Sequence, residues 1–239
     1  SGTLQYAKSG GSTGYFARTQ DLSSQVLIIK FDLTVSGQAS GANNQATFYI
    51  GQNLGDNASV PSVANTHSKF AINFDTTDGS FSLRDLNTST NSNVYAGTHT
   101  ITFVVNNRTD GSGITYNKPG GGTATLASDK WDLYIDNTLE FDERLLGTSG
   151  TASIIGLPNF KFTYPSGSTN ATLNFDNFII LNEQDSSVLP VELTSFTAKA
   201  NLQNIDLTWA TASEKENSHF EILRSDDGKT FSKIGEVKG

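Results

Sequence analysis

Apolar side chains recur at every second position from Leu27 to Val35: Leu27, Ile29, Phe31, Leu33 and Val35 fall on one side, with Lys30, Asp32 and Thr34 on the other. A period of two belongs to a strand with one buried face, because successive side chains of extended backbone point to opposite sides. The pattern returns at Phe48 and Ile50, at Phe70, Ile72 and Phe74, at Phe81 and Leu83, and at Ile101, Phe103 and Val105. It continues at Trp131, Leu133 and Ile135, at Leu139 and Phe141, at Phe160, Phe162 and Tyr164, and at Leu173 and Phe175. Turn-forming pairs stand between these runs, as Asp78-Gly79, Asp110-Gly111, Asp136-Asn137 and Ser166-Gly167. No stretch carries the i, i+3, i+4, i+7 stripe of an amphipathic helix. About a dozen half-buried strands must close two sheets over a shared core. The expectation is an all-β chain whose residues 1–183 form a jelly-roll β-sandwich.

Charge marks a boundary near residue 183. Residues 1–187 carry 26 charged side chains, whereas the last 52 carry 14, nearly twice the density. The polar run Glu183-Gln184-Asp185-Ser186-Ser187 sits at the change, so residues 184–190 read as a linker and 191–239 as a second module. The absence of cysteine excludes a disulfide framework, a thiolate zinc site and a cysteine nucleophile. A net charge of -8 argues against nucleic acid and against anionic membrane surfaces, both of which need clustered cations. Val26 to Ile29 is the longest unbroken apolar run of the first half, far short of a membrane span. No leader is visible at Ser1, so an exported chain of this kind would have lost it.

The segment from Leu189 reads LPVELTSFTA, then LTWATASEKENSHFEI, then LRSDDGKTFSKIG. It resembles the fibronectin-III-like module that precedes the sorting signal in cargo of the bacterial type IX secretion system. That resemblance implies a secreted or cell-surface protein of a Gram-negative bacterium, with the secretion machinery as a partner. It places Leu207 and Trp209 on one strand and Phe220 and Ile222 on the next, with Asp227-Gly228 as the turn leading to Phe231. A complete sandwich of this type takes roughly 90 to 100 residues, so the 49 residues after Pro190 imply a truncated fibronectin-III-like fragment. Upstream, Ala171 to Leu181 resembles the closing strand of concanavalin-like and laminin-G-like jelly rolls. It implies a lectin-like fold.

Carboxylates that work together on a strand must share a face. In Leu139-Glu-Phe-Asp-Glu-Arg144, Glu140 and Asp142 are so spaced, but Arg144 stands where a third acid of a glucanase strand would be needed. A polysaccharide lyase would need a His or Tyr base beside an Arg or Asn. His67, His99, Arg18, Arg84 and Arg108 are present without a motif that ties them together, and both histidines read as surface or turn residues. Asn106-x-Arg108-x-Asp110-Gly111 puts an arginine where a calcium loop needs oxygen. Lys118-Pro-Gly-Gly-Gly-Thr123 lacks the phosphate-loop frame and reads as a flexible loop. Asp176 is the metal candidate, a last-strand aspartate that could hold a structural calcium with carbonyls near the first strand.

Sugar rings stack on flat aromatic faces while their hydroxyls pair with planar polar groups. Outward parity selects Tyr49, and Tyr134 with Asp132. Arg84 alternates with Leu83 and could reach the same surface, and Tyr95 and Tyr116 fall in polar loops. The ligand-binding candidates are therefore Tyr49, Arg84, Asp132 and Tyr134, and no catalytic residue is assigned. The function expected is non-catalytic carbohydrate binding, with a polysaccharide or glycan as partner. The alternatives are a polysaccharide lyase or glycoside hydrolase with a non-standard site, and a structural or adhesive spacer.

Overall fold

The computed structural model describes residues 3–19, 24–145, 156–182, 193–202, 204–211, 219–226 and 230–238. The chain divides into two units, Ser1–Ser186 and Ser187–Gly239. Residues 184–190 and the Asp227-Gly228 turn lie outside the described residues.

The first unit is an antiparallel β-sandwich of the jelly-roll class. In chain order its strands are β1 (Leu4–Ala7), β2 (Gly14–Arg18), β3 (Val26–Ser36), β4 (Ala42–Gly51), β5 (Thr66–Phe74), β6 (Ser80–Asp85), β7 (Thr90–Asn91), β8 (Tyr95–Ala96), β9 (Thr98–Asn106), β10 (Ile114–Asn117), β11 (Thr123–Leu126), β12 (Lys130–Ile135), β13 (Thr138–Leu145), β14 (Asn159–Tyr164) and β15 (Thr172–Asn182). No α-helix occurs among the described residues, only the single 3-10 turn Val63–Asn65. One sheet has six strands in the order β1-β15-β3-β9-β12-β13. The other runs β2-β14-β4-β5-β6-β7, with β8 also on β6. The chain crosses between the two sheets after β1, β2, β3, β8, β13 and β14, so each sheet interleaves distant segments.

The alternating residues meet between the sheets. Phe48 stacks on Phe31 of the opposite sheet (5.5 Å), and on Phe70 and Phe160 of its own (5.6 Å each), so one ring ties three strands to a fourth across the core. Leu27, Ile29, Phe31, Leu33 and Val35 are all buried, as their period predicts. Strict parity fails at two bulges. In β15 the pairing with β3 jumps between Asp176 and Ile179, and Asn177 takes φ 51°. The extra residue flips the strand, so Phe175 and Phe178 both reach the core although they are three apart. In β13, Leu133 faces Phe141 but Tyr134 faces Leu139, and Leu139, expected inward, is 40% exposed.

The outer face of the six-stranded sheet is only partly solvated. The hairpin β10–β11 forms a small sheet of its own. Its Ile114, Tyr116 and Leu126 join Val26, Ile28, Val104 and Tyr134 in a second apolar cluster. Burial on both faces is why Val26 to Ile29 has no polar position. The expected flexible loop at 118–123 is the turn of this hairpin, with positive φ at Gly120, Gly121 and Gly122.

The second unit consists of two hairpins, β16 (Leu193–Asn201) with β17 (Asn204–Thr211) and β18 (His219–Arg224) with β19 (Ser232–Lys238). Trp209 and Phe220 meet edge to face at 5.6 Å beside an apolar cavity of about 440 Å³. Phe196, Ile205, Phe231 and Ile234 remain more than half exposed.

Replacing Phe48 by Ala should lower the stability of the sandwich by about 3–5 kcal/mol, the usual cost of emptying a large aromatic site. Urea unfolding followed by tryptophan fluorescence would measure it; a loss below about 1 kcal/mol would mean that the stack does not organise the core.

Candidate functional site

The four predicted ligand-binding residues lie on two different faces. Asp132 and Tyr134 belong to β12 and point away from the main core, as parity required, but the β10–β11 hairpin covers them to 1% and 3% exposure. Tyr116, expected in a loop, is on β10 and is equally buried. Its hydroxyl donates to Asp132 Oδ2 and lies 2.8 Å from the Tyr134 hydroxyl, while the Glu143 amide donates to Asp132 Oδ1 at 2.7 Å. Burial raises the Asp132 carboxyl above the usual range, against the opposing pull of these two hydrogen bonds. Burial likewise raises both tyrosines. These groups lock the hairpin to the sheet and offer no open ring for a sugar. The expectation of a stacking site there is corrected.

Tyr49 and Arg84 share the outer face of the seven-stranded sheet. Registry sets two rows across it. Tyr15, Thr163, Thr47, Ala71, Arg84 and Asn91 stand side by side, and next to them Ala17, Lys161, Tyr49 and Lys69. Tyr49 thus lies between Lys161 and Lys69, one step diagonally from the row of Arg84. Tyr49 itself is only 6% exposed, whereas Tyr15 is 38% exposed at the edge. Lys161 is fully buried and donates to the carbonyls of Leu54 (3.0 Å) and Ser59 (2.8 Å), fastening residues 52–62 beside the sheet. Burial lowers its pKa, with Asp56 acting in the opposite sense. Lys69 and Arg84 are partly exposed, and neither has an ion-pair partner among the described residues. Six buried side-chain polar atoms among the described residues lack a hydrogen-bond partner, and three of them belong to this face: Arg84 Nε, Asn159 Nδ2 and Thr163 Oγ1.

Tyr15, Lys69 and Lys161 were missed as site residues. The signal existed for Lys69 and Lys161, since each alternates with buried phenylalanines as Tyr49 does. Nothing local marked Gly14–Arg18 as a strand, because its pairing with β14 joins positions some 145 residues apart.

The remaining candidates separate. Asp176 stands directly opposite Asp32 of β3, beside Thr3. Thr100 Oγ1 and Asn177 Nδ2 donate to the two oxygens of Asp32, and the Asn177 amide and Thr3 Oγ1 to those of Asp176. Calcium takes six to eight oxygens. Asp32 and Asp176 line one polar pocket with Thr3, Gln5, Thr34, Thr98 and Asn174, side chains that carry oxygens of the kind calcium takes. Glu140 and Asp142, expected on one face, diverge at the β13 bulge. Glu140 accepts from the Asn93 amide and from Tyr95, whose phenol is pushed up to about 12 by burial and by that carboxylate. Asp142 acts instead on Asp132 and Tyr134. Tyr95, expected in a loop, is on β8. His67 is buried rather than at the surface, and burial holds its imidazole down at about 3. His99 bridges Asp136 Oδ2 (2.7 Å) and the Ala96 carbonyl (3.0 Å), closing one end of the sandwich.

No protein-family profile matches the chain, and no curated protein matches it. Among solved structures, the chain is similar to a carbohydrate esterase from the Shiga toxin-encoding bacteriophage phi24B. The identity is 12%, 76% of this chain and 81% of that one are covered, and the TM-score is 0.47. It is also similar to the marine PL7 alginate lyase of Zobellia galactanivorans, at 10% identity, 69% and 64% coverage and a TM-score of 0.34. Likeness at this level leaves the chemistry of the site to its own residues.

A carboxyl raised by folding binds its proton more tightly in the folded state, so its contribution to stability is full below the unfolded pKa of about 3.9 and is lost as pH rises through the folded value. Wild type should therefore lose stability relative to Asp132→Asn as pH rises from about 4. Urea midpoints over a pH series would show it; a difference that is flat or grows in favour of wild type would contradict the buried network.

Proposed function

We propose that the chain binds a glycan along the outer face of the seven-stranded sheet, through Tyr15, Lys69, Arg84 and Asn91, without cleaving it. The observation that supports this reading is the run of accessible aromatic and polar side chains across this face, with Tyr15 38% exposed at one edge, Asn91 exposed at the other, and Lys69 and Arg84 partly exposed between them without an ion-pair partner among the described residues. A pyranose offers C–H faces to aromatic rings and hydroxyls to donors and acceptors, so one polymer can satisfy both. Hydrolysis by a carboxylate pair has no support here, since no Asp or Glu occupies an outward strand position on this face. Asp85, the acid of β6, pairs with Phe70, is fully buried, and lies 4.0 Å from Arg144. The lyase alternative keeps one favouring observation, a tyrosine and an arginine on one face, with Tyr49 as base and Arg84 as the group that neutralises a carboxylate. The resemblance of residues 189–239 to type IX cargo supports placing this binding outside the cell or at its surface.

Titration of the full chain with soluble β-glucans, pectins and alginates tests the reading. Tyr15→Ala and Arg84→Ala should each weaken binding by about 1–3 kcal/mol, roughly 5- to 150-fold. Tyr134→Ala, on the far side of the sandwich, should leave affinity within about twofold while lowering the melting temperature. Loss of binding in Tyr134→Ala with none in Tyr15→Ala would move the site to the other sheet. Release of unsaturated uronate ends, seen by their ultraviolet absorbance, would replace binding with lyase chemistry.

A further inference from the structure

We infer that the ligand of this face is an acidic glycan whose carboxylates are taken by Arg84 and Lys69, an inference that rests on the glycan reading above. The chain as a whole is acidic, with 24 Asp and Glu against 16 Lys and Arg. The strand positions of this face reverse that balance. They present Lys69, Arg84 and Lys161 and no carboxylate, because Asp85 is turned into the core row opposite Phe70. The nearby acid, Asp56, bears on the Lys161 ammonium, which is already held by two carbonyls. Lys69 and Arg84 are left without an internal counter-charge, on adjacent strands and one register step apart: Ala71, two residues from Lys69, faces Arg84 directly.

Cations on an acidic protein readily find acids, as Lys233 does with Glu221 and Glu236 in the second unit. Two partly shielded cations held apart from every carboxylate of their own face attract an anion from solution. The planar guanidinium selects a carboxylate, which accepts two parallel N–H bonds. Two diagonal cations also fit a polymer with regularly repeated charges better than a single free anion, since diagonal cross-strand neighbours lie about 7–8 Å apart. Tyr15, at the far edge of the row that holds Arg84 and about 19 Å away across four strand spacings, supplies a stacking surface for another ring of the same polymer.

The test compares four ligands of similar length on the full chain: a polyuronate, the same polyuronate with its carboxyls methyl-esterified, a sulfated glucan and a neutral glucan. The polyuronate should bind at least tenfold more tightly than the other three and lose affinity as salt is raised. Arg84→Gln and Lys69→Gln should each cost the polyuronate roughly 5- to 150-fold and bring its affinity down towards that of the neutral glucan. Lys69 is partly exposed, so its variant keeps the fold, and the esterified ligand tests the carboxylate with no variant at all. Equal affinity for polyuronate and neutral glucan, with both variants silent, would overturn the acidic preference while leaving glycan binding intact. Equal affinity for polyuronate and sulfated glucan would overturn the choice of carboxylate. Binding of none of the four would overturn both readings.

Discussion

The stack of phenylalanines around Phe48 is the interaction on which the sandwich depends. Phe31 comes from one sheet, and Phe48, Phe70 and Phe160 from the other, so the rings set the spacing of the two layers and the register in which strands from distant parts of the chain meet. Phe178 adds a ring from β15, stacked on Phe31 at 4.9 Å, only because the bulge at Asp176–Asn177 turns it inward. With no cysteine to staple it, the unit relies on such close packing, which its size permits.

Once the inner faces are joined, what happens outside them differs between the sheets. The six-stranded sheet carries apolar residues at outward positions of β3 and β9, and the β10–β11 hairpin folds over them. The buried carboxyl of Asp132 is tolerated there because two tyrosine hydroxyls and a backbone amide surround it. The seven-stranded sheet carries Lys, Arg, Thr, Asn and Tyr at the equivalent positions, and these include donors that the protein itself does not pair. The contrast gives one outer face to folding and leaves the other polar. The second unit differs again, with apolar side chains of both its hairpins still more than half exposed.

Much of this was legible in the sequence. The period of two, the Asp-Gly and Asp-Asn turns and the missing helical stripe determined an all-β sandwich and its inner residues, because alternation is a local property of extended backbone. The outward orientation of Tyr49, Arg84, Asp132 and Tyr134 followed from the same rule. Which outward residues stay accessible did not follow, since that depends on where a hairpin some 10 to 20 residues away comes to rest. Tertiary structure alone buried Tyr134 and Asp132 beneath β10–β11, turned Leu139 out and Phe178 in at bulges, and parted Glu140 from Asp142. It alone brought Tyr15 alongside Thr163 and set Lys69 diagonally from Arg84, because strand pairing is a long-range choice made by the whole core.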